Sequence, residues 1–323
     1  MTKRAERAGA GVEDGRVWRR GRVLAGTAAF AGLLLLFHGV VPNGVGGLGS
    51  LLESFLPWLG VPVVVLLVLA LVRRSPLALV VLLLPAAAWT YLFGGLFLPA
   101  PEPGDDELVV VQHNVSDENP DPEGTARALV RAEPDLIALE ELVSPALEVY
   151  AEALAPDYPY RTVRGTVGLW SKHPLDGTGP LDIAPQGMGE GWERGLRAVA
   201  HTPRGEIAVH VAHLPSVRVR ASGLASSWRD ESAGLLGDAL DAEEQSRVVL
   251  LGDLNGTVDD RALAPLTSRL DVAERGLALS FPAGFPVARI DQVMARGATV
   301  ESVRTLSATG SDHLPVAARV TWG

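Results

Sequence analysis

The chain has 323 residues and a mass of 34.1 kDa, which corresponds to about two domains of ordinary size. Hydrophobic residues make up 47% of the sequence and charged residues 20%, and the formal net charge is −10. This composition excludes collagen-like and disordered chains, and the absence of cysteine excludes thiol nucleophiles and zinc–thiolate or iron–sulfur centres. A mean hydropathy of +0.21 indicates a strongly apolar segment.

Three long apolar runs lie within the first hundred residues. They cover residues 23–41, 51–72 and 76–98, and Glu53 is the only acidic or basic residue in them. Each run has about the 20 residues that a helix needs to cross the hydrocarbon core of a bilayer. The sequence therefore predicts a three-helix transmembrane anchor over residues 23–98.

The basic residues predict the orientation of this anchor. Seven Lys and Arg residues precede the first run and Arg73 and Arg74 separate the second from the third, whereas residues 42–50 carry no charge. Because basic residues stay on the cytoplasmic side, we expect a multi-pass protein of the cell membrane with a cytoplasmic N-terminus (residues 1–22) and an extracellular C-terminal domain. A signal peptide followed by core helices is the alternative, but it explains only the first run.

The character of the sequence changes after residue 98. Residues 99–107 form a Pro-rich, acidic linker, and residues 108–323 are long enough for one large domain. From residue 104 onward the chain has 33 acidic and 19 basic residues, a net charge of −14. Such a charge argues against tight, extended binding of nucleic acid.

Short apolar runs predict the strands of the C-terminal domain. The predicted strands cover residues 108–114, 135–142, 166–171, 196–201, 207–213, 247–253, 289–294 and 315–321. Helices are predicted at residues 121–132, 144–154 and 230–242. Frequent strands with few helices between them indicate an α/β (α+β) domain of two sheets with helices outside.

Several of these strands lead into polar residues with oxygen or nitrogen ligand atoms. These residues are Asn114, Glu140, Glu141, Asp253, Asn255, Asp312 and His313. An isolated acid after an apolar strand ordinarily marks the exit to solvent. Taken together, the carboxylates, amides and imidazoles suit Mg²⁺, with Mn²⁺ or Ca²⁺ as alternatives, better than zinc.

Six short motifs follow one another along the C-terminal domain, at residues 112–115 (QHNV), 135–142 (DLIALEEL), 210–214 (HVAHL), 252–255 (GDLN), 289–292 (RIDQ) and 311–316 (SDHLPV). In this order they resemble the endonuclease/exonuclease/phosphatase superfamily, the deoxyribonuclease-I-like hydrolases. The resemblance covers residues 108–322 and implies a four-layer α/β/β/α sandwich. The apolar N-terminal region lies outside it.

The resemblance also implies a metal site and a catalytic set. Glu141 takes the place of the family's metal-binding glutamate, with Asn114 and Asp312 close to the same ion and Glu140 the less suitable neighbour. Asp253 would orient or deprotonate the attacking water. The remaining predicted catalytic residues, each near the phosphate or supporting it, are Asn255, His213, His313 and Asp291, which would orient the His313 imidazole.

Two residues are predicted to contact the phosphate group, Asn114 and, as a bidentate clamp, Arg197. His210 is expected to be structural, because residues three apart in a strand point to opposite faces and His213 already faces the site.

The predicted function is divalent-metal-dependent hydrolysis of a phosphate ester on the outer side of the membrane. A lipid head group, a small phosphodiester and nucleic acid remain open as substrates, because tethering beside a bilayer favours lipid head groups, and no protein partner is predicted. The alternatives are an extracellular nuclease and a non-catalytic, membrane-tethered binding module.

Overall fold

The computed structural model describes residues 21–102, 104, 107–189, 191–220 and 223–322. Six of the seven basic residues ahead of the first apolar run lie outside the described residues. The chain divides into two compact units. One unit includes the described residues up to Pro42 and Phe55–Gly95, and the other includes Asn43–Ser54 and the chain from Leu96 onward. The second unit contains the domain that the sequence predicts to be a hydrolase, and we call it the hydrolase unit.

The N-terminal unit consists of helices with small residues between them. Its helices are α1 (Arg22–Leu36), α3 (Gly60–Val72), α4 (Pro76–Val81) and α5 (Leu83–Phe93), with 3-10 turns at His38–Val40, Leu56–Leu59 and Gly94–Phe97. Ala28, Ala70 and Ala78 are fully buried, whereas Val72 and Tyr91 are mostly exposed. Many large apolar side chains therefore face outward in this unit, while small ones lie inside it together with larger ones such as Leu35 and Phe93.

The predicted set of three unbroken membrane spans does not appear in the structure. Among the described residues, one helical stretch, Pro76–Phe97, is long and apolar enough to cross a membrane. The second predicted span is broken at Phe55, where one helical stretch ends at Ser54 and another begins at Leu56. The first, α1, has 15 residues, a length of about 22 Å against about 30 Å of hydrocarbon.

Residues Asn43–Ser54 belong to the hydrolase unit although they include the start of the second apolar run. Their helix is α2 (Leu48–Ser54). The buried carboxylate of Glu53 accepts hydrogen bonds from Arg261 Nε (2.7 Å), Arg261 Nη2 (2.8 Å) and the Arg261 backbone N–H (3.0 Å). A charged residue in the second apolar run is therefore paired inside the hydrolase unit.

The rest of the hydrolase unit contains two six-stranded sheets and a small hairpin. The strands are β1 (Glu107–Asn114), β2 (Leu136–Glu140), β3 (Tyr160–Arg164), β4 (Val167–Ser171), β5 (Leu175–Pro180), β6 (Gly195–Thr202), β7 (Gly205–Ala212), β8 (Arg218–Arg220), β9 (Gly223–Ala225), β10 (Val248–Asp253), β11 (Asp271–Val272), β12 (Asp291–Arg296), β13 (Thr299–Thr305) and β14 (Val316–Thr321). One sheet has the order β13-β14-β1-β2-β4-β3 and the other β11-β12-β10-β7-β6-β5, while β8 and β9 pair only with each other.

Alternation of side chains along the strands separates the sandwich into four layers. In β10, Val249 and Leu251 lie in the core between the two sheets, whereas Val248 and Leu250 face a second core. Helices cover the outer faces: α6 (Pro122–Val130) and α7 (Ala146–Leu154) cover the first sheet, and α8 (Ser227–Asp241) and α9 (Ala264–Thr267) cover the second. The predicted α/β class with an α/β/β/α arrangement is confirmed for this unit.

Candidate active site

Polar side chains from both sheets meet at one edge of the sandwich. Asn114 and Asp253 are the last residues of β1 and β10, and Asp253 pairs with Asp291, the first residue of β12. Asn114 Nδ2 donates a hydrogen bond to Asp253 Oδ2 (3.1 Å), which connects the two sheets. Glu141 follows β2 at the same edge, because β1 and β2 are parallel and Asn114 pairs with Glu140.

His313 and Asp291 form a buried ion pair in this edge. His313 Nδ1 lies 2.8 Å from Asp291 Oδ2, and His313 Nε2 lies 3.8 Å from Asp253 Oδ2. Burial lowers the pKa of His313, but the negative charge of Asp291 and its hydrogen bond raise the pKa by more, to about 10. Ser311 holds the turn, since its hydroxyl donates to the Asn114 carbonyl (2.7 Å) and accepts the His313 N–H (3.0 Å). His313 is therefore a protonated imidazolium at neutral pH.

Asp253 faces His313 with its carboxylate held by two asparagines. Besides the bond from Asn114, its Oδ1 accepts the backbone N–H of Asn255 (2.9 Å). Asn255 adopts a left-handed backbone (φ 48°), and its Nδ2 donates to the Leu214 carbonyl (2.9 Å). Burial raises the pKa of Asp253 to about 7, while the charge of His313 opposes that rise. A carboxylate with such a pKa can accept a proton near neutral pH.

His213 lies between two carboxylates as a neutral imidazole. Its Nε2 is 3.7 Å from Asp253 Oδ2 and 3.8 Å from Glu141 Oε1. Burial, and then the charge of Arg194, lower the pKa of His213 to about 3. Glu141 has a left-handed backbone (φ 60°), and 31% of its side chain is exposed. The geometry brings Glu141 into the site beside His213.

Glu140 occupies a different position from its neighbour Glu141. It is fully buried, and its Oε2 accepts a hydrogen bond from Gln112 Nε2 (2.8 Å), which also donates to Asp291 Oδ1 (3.0 Å). Burial, and then the charges of Asp291 and Asp253, raise the pKa of Glu140. Glu140 therefore belongs to the buried hydrogen-bond network around Asp291.

The predicted metal ligands do not form the tightest acidic cluster. Among the described residues, the His and carboxylate side chains whose ligand atoms all lie within 4.8 Å of one another are Asp253, Asp291 and His313. Glu141 and Asp312 are not in this group. Asp312 is exposed next to His313, where its charge contributes to the raised pKa of that imidazole, and its carbonyl accepts the Ala283 N–H (2.7 Å).

The structure does not bring Arg197 to the predicted phosphate position. Its Nε and Nη2 donate to Glu243 Oε2 (2.7 Å) and Oε1 (2.8 Å), and Glu243 Oε2 also lies 3.0 Å from His210 Nε2. A bidentate carboxylate already occupies this guanidinium, so the structure does not support the predicted phosphate clamp at Arg197. His210, expected to be structural, lies in this second cluster.

Arg194 is the basic residue that sequence reasoning missed. Its Nη1 lies 3.4 Å from His213 Nδ1 and 3.5 Å from His213 Nε2, over the imidazole. The signal is the register of β6 and β7: Gly195 pairs with Ala212, and the His213 N–H donates to the Arg194 carbonyl (2.9 Å). A pairing of β6 with β7 in this register would have predicted that Arg194 lies opposite His213.

The donor set fits a divalent cation. The carboxylates of Glu141 and Asp253 lie on either side of a neutral imidazole, so His213 does not balance their charge. Oxygen atoms of carboxylates and amides predominate, and the chain has no cysteine. Such hard ligands suit Mg²⁺, Mn²⁺ or Ca²⁺.

Comparison with known families identifies the family of this chain. The family model described as the Endonuclease/Exonuclease/phosphatase family matches residues 111–313, which include Asn114, Glu141, Asp253 and His313. The chain belongs to this family. Its members are phosphoester hydrolases, so the family assigns the chain as an enzyme of that class. No curated protein sequence is significantly similar to it.

Solved structures share this fold at low sequence identity. An endonuclease/exonuclease/phosphatase from Beutenbergia cavernae is 21% identical with a TM-score of 0.54, covering 68% of this chain and 72% of its own. A mannosyl-6-phosphatase from Bacteroides thetaiotaomicron is 17% identical (TM-score 0.54; 67% and 100% covered). Beta toxin from Staphylococcus aureus, in a mutant form with bound magnesium ions, is 14% identical (TM-score 0.52; 67% and 100% covered).

Proposed function

We propose that this chain hydrolyses phosphate esters with a divalent metal ion, and that Asp253 activates the attacking water. The observation that carries the proposal is the position of Asp253, whose Oδ2 lies 3.8 Å from the His313 imidazolium and 3.7 Å from His213. A binding module does not need a buried carboxylate with a pKa of about 7 beside a fixed imidazolium.

The chain's own residues divide the chemistry between them. Asp253 orients a water molecule and accepts its proton as the oxygen attacks phosphorus. His313 keeps its Nε2 proton, because Asp291 holds Nδ1, and so neutralises charge on a phosphoryl oxygen. Asn114 holds Asp253 in place and reaches the phosphate with its carboxamide, and Asn255 fixes the turn after β10. His213 contributes a neutral imidazole beside the phosphate.

Glu141 would hold the metal ion, with Asn114 and Asp312 near it. Glu141 is the carboxylate of the set that is partly exposed, and its left-handed backbone directs it out of the strand. A bound divalent cation supplies Lewis-acid stabilisation of a phosphoryl oxygen. Magnesium is our first choice, because it is the ion present in the structure of beta toxin.

Arg194 replaces Arg197 as the basic residue for the phosphate. Its guanidinium lies over His213 and forms no ion pair with a carboxylate of the described residues. A guanidinium can bind two phosphoryl oxygens at once. The charge of −14 from residue 104 onward favours small or lipid-linked esters over long nucleic acids.

We further propose that the N-terminal unit anchors the enzyme in the cell membrane, with the hydrolase unit outside. Its small buried residues and large exposed apolar ones resemble the packing of helices in lipid. Asn43–Ser54 and the chain after Leu96 form one compact unit, so both must lie on the same side of a membrane. The predicted topology, with three crossings and a cytoplasmic N-terminus, meets this requirement.

Cysteine labelling tests the topology, because the chain has no cysteine of its own. Ala242→Cys would add a thiol at an exposed position of the hydrolase unit, and Thr2→Cys would add one in the basic N-terminus. In intact cells, a membrane-impermeant maleimide should label the Ala242→Cys protein and not the Thr2→Cys protein. Labelling of Thr2→Cys alone would overturn the orientation.

Hydrolysis of bis-p-nitrophenyl phosphate by the full chain in detergent tests the reaction. Asp253→Asn should lower kcat about a thousandfold in the presence of Mg²⁺, the contribution expected of a general base. Asp157→Asn, at an exposed carboxylate, is the matched control and should keep full activity. An Asp253→Asn protein with normal kcat would refute the assignment of the base.

A further inference from the structure

A cavity of about 450 Å³ lies directly beside the candidate active site. Its walls include Trp192, Arg194, Pro215, Arg218, Arg220 and Trp228. Arg194 lines the cavity and is also part of the candidate active site, because its guanidinium lies over the His213 ring. Pro215 follows Leu214, whose carbonyl binds the side chain of Asn255. A group in this cavity is therefore next to a phosphate bound at His213.

The cavity concentrates positive charge in an acidic unit. Arg218 and Arg220 are two apart in β8, so they share one face of that strand, and both are exposed. Within the described residues, neither guanidinium has a hydrogen bond or an ion pair, although acidic side chains outnumber basic ones from residue 104 onward. Of the four arginines that line the cavity, Arg229 is paired with Asp230 and Asp260, and the other three repel one another unless an anion lies between them.

Aromatic side chains form another part of the wall. Trp192 lies against Arg194, with the guanidinium carbon 5.5 Å from the ring. Trp228, in the first turn of α8, is 51% exposed. Large exposed aromatic side chains beside a cavity provide a surface for an apolar or planar group.

The hairpin that carries Arg218 and Arg220 is fixed by the segment 43–54. The Leu224 N–H donates to the Gly46 carbonyl (2.8 Å), and a side chain at Gly223 (φ 115°) would collide with Gly46. The Glu53–Arg261 pair connects the same segment to the unit at another point. The hairpin that forms this part of the cavity wall is therefore held in place by segment 43–54.

We infer that this cavity recognises a second negatively charged group of the substrate. The inference rests on the proposed function, since it places the reacting phosphate at His213 and the second anion at Arg218 and Arg220. The substrate class is a phosphate ester that carries another phosphate or carboxylate and has an apolar or planar part to lie against Trp228.

Two chromogenic diesters that differ only in a second phosphate test the inference. Thymidine 5′-(p-nitrophenyl phosphate) has one anionic group, and its 3′-phosphorylated form adds another. We expect the full chain to have a lower KM for the 3′-phosphorylated form. Arg218→Gln/Arg220→Gln should raise that KM about tenfold, the loss of one or two charge-assisted hydrogen bonds. The KM for the singly charged diester and both kcat values should stay unchanged.

Arg161→Gln is the matched control, because Arg161 is an exposed arginine in β3 outside the cavity. It should change neither KM. Equal effects of the double substitution on both substrates, or no effect on either, would overturn the inference while the enzyme remains active. Failure of the unmodified chain to hydrolyse either diester, and bis-p-nitrophenyl phosphate as well, would instead refute the proposed function.

Inhibition of bis-p-nitrophenyl phosphate hydrolysis separates soluble from lipid sources of the second anion. The inhibitors are inositol 1,4-bisphosphate in solution and phosphatidylcholine vesicles that contain phosphatidylinositol 4-phosphate. Stronger inhibition by the first indicates a soluble ligand, and stronger inhibition by the second a lipid head group. In either case the inhibition should weaken about tenfold in Arg218→Gln/Arg220→Gln. Equal inhibition of both proteins would count against the cavity.

Discussion

Two clusters of the hydrolase unit contain the same kinds of residue but differ in charge balance. In one, Asp253, Asp291 and His313 meet at the ends of β10 and β12; in the other, Glu243 binds Arg197 and His210. The hydrogen bonds from Arg197 lower the pKa of Glu243 despite its burial, and burial lowers the pKa of His210. Each charge in the second cluster therefore has a partner.

The active-site cluster leaves one carboxylate without such a partner. His313 is paired to Asp291 and lies 3.8 Å from Asp253, whose pKa burial raises to about 7. A carboxylate held in this way costs stability and is available for proton transfer. The comparison teaches that charge balance, more than residue type, separates a functional cluster from a structural one.

Replacing the histidine of each cluster by glutamine should give the largest difference in kcat between the two clusters. His313→Gln should lower kcat about a hundred- to a thousandfold, because the site loses the cation that stabilises developing charge. His210→Gln should leave kcat within about twofold, since the side chain contacts only the structural cluster. Steady-state kinetics with bis-p-nitrophenyl phosphate and Mg²⁺ measure both. Similar losses in the two variants would break the distinction.

A balanced pair should appear in stability, and Glu53–Arg261 is an example in which the acid is buried. Arg261→Ala leaves the Glu53 carboxylate buried without its guanidinium, which should cost about 3 kcal/mol of unfolding free energy. Arg269→Ala, at an ion pair with the exposed Asp241, is the control and should have a much smaller effect. Denaturant unfolding of the full chain measures the loss of unfolding free energy in both variants. Equal losses would show that the contact of segment 43–54 with Arg261 adds little to stability.

The sequence predicted the interior strands and missed the edges. β1, β2, β4, β6, β7, β10, β12 and β14 all correspond to predicted strands, whereas β3, β13, β5 and β11 are the outer strands of the two sheets. An interior strand such as β2 is buried on both faces and has an apolar run, while β3 is largely exposed and has none. Apolar patterning detects burial, so exposed edge strands leave no signal.

The sequence predicted the site residues that lie at strand ends, but not those whose position depends on how neighbouring strands pair. Asp253, Asp291 and His313 lie together because each is at the end of an interior strand or in the turn before one. Arg194 and Arg197 required the pairing of β6 with β7, which places one beside His213 and the other beside His210. A sequence does not state its register, so the apolar pattern alone does not distinguish Arg194 from Arg197.

Glu243→Gln tests the structural cluster without touching the active site. Gln can accept only one of the two hydrogen bonds from Arg197 and has no charge. The substitution should lower the unfolding free energy by about 2 kcal/mol, because hydrogen bonds to charged groups contribute more than neutral ones. kcat should stay within about twofold of the unmodified chain. A drop in kcat as large as that of His313→Gln would show that this cluster also supports catalysis.

The decrease of the unfolding free energy at acidic pH is the smallest effect that we expect, and it tests directly whether the charge of Glu243 is balanced. Because Arg197 lowers the pKa of Glu243 below its ordinary value of 4.5, the unfolded chain binds this proton first as the pH falls. The stabilisation from Glu243 is therefore full above about pH 5.5 and decreases by about 0.8 kcal/mol down to pH 4.

This comparison is made in the His210→Gln background, which removes the titration of the adjacent imidazole. The unfolding free energy of each protein is measured at pH 5.5 and at pH 4. The decrease between the two pH values should be about 0.8 kcal/mol larger in His210→Gln than in His210→Gln/Glu243→Gln. An identical fall in the two proteins would mean that the pKa of Glu243 is the same in the folded and unfolded chain. In that case Arg197 would not balance its charge, and the contrast with the active-site cluster would fail.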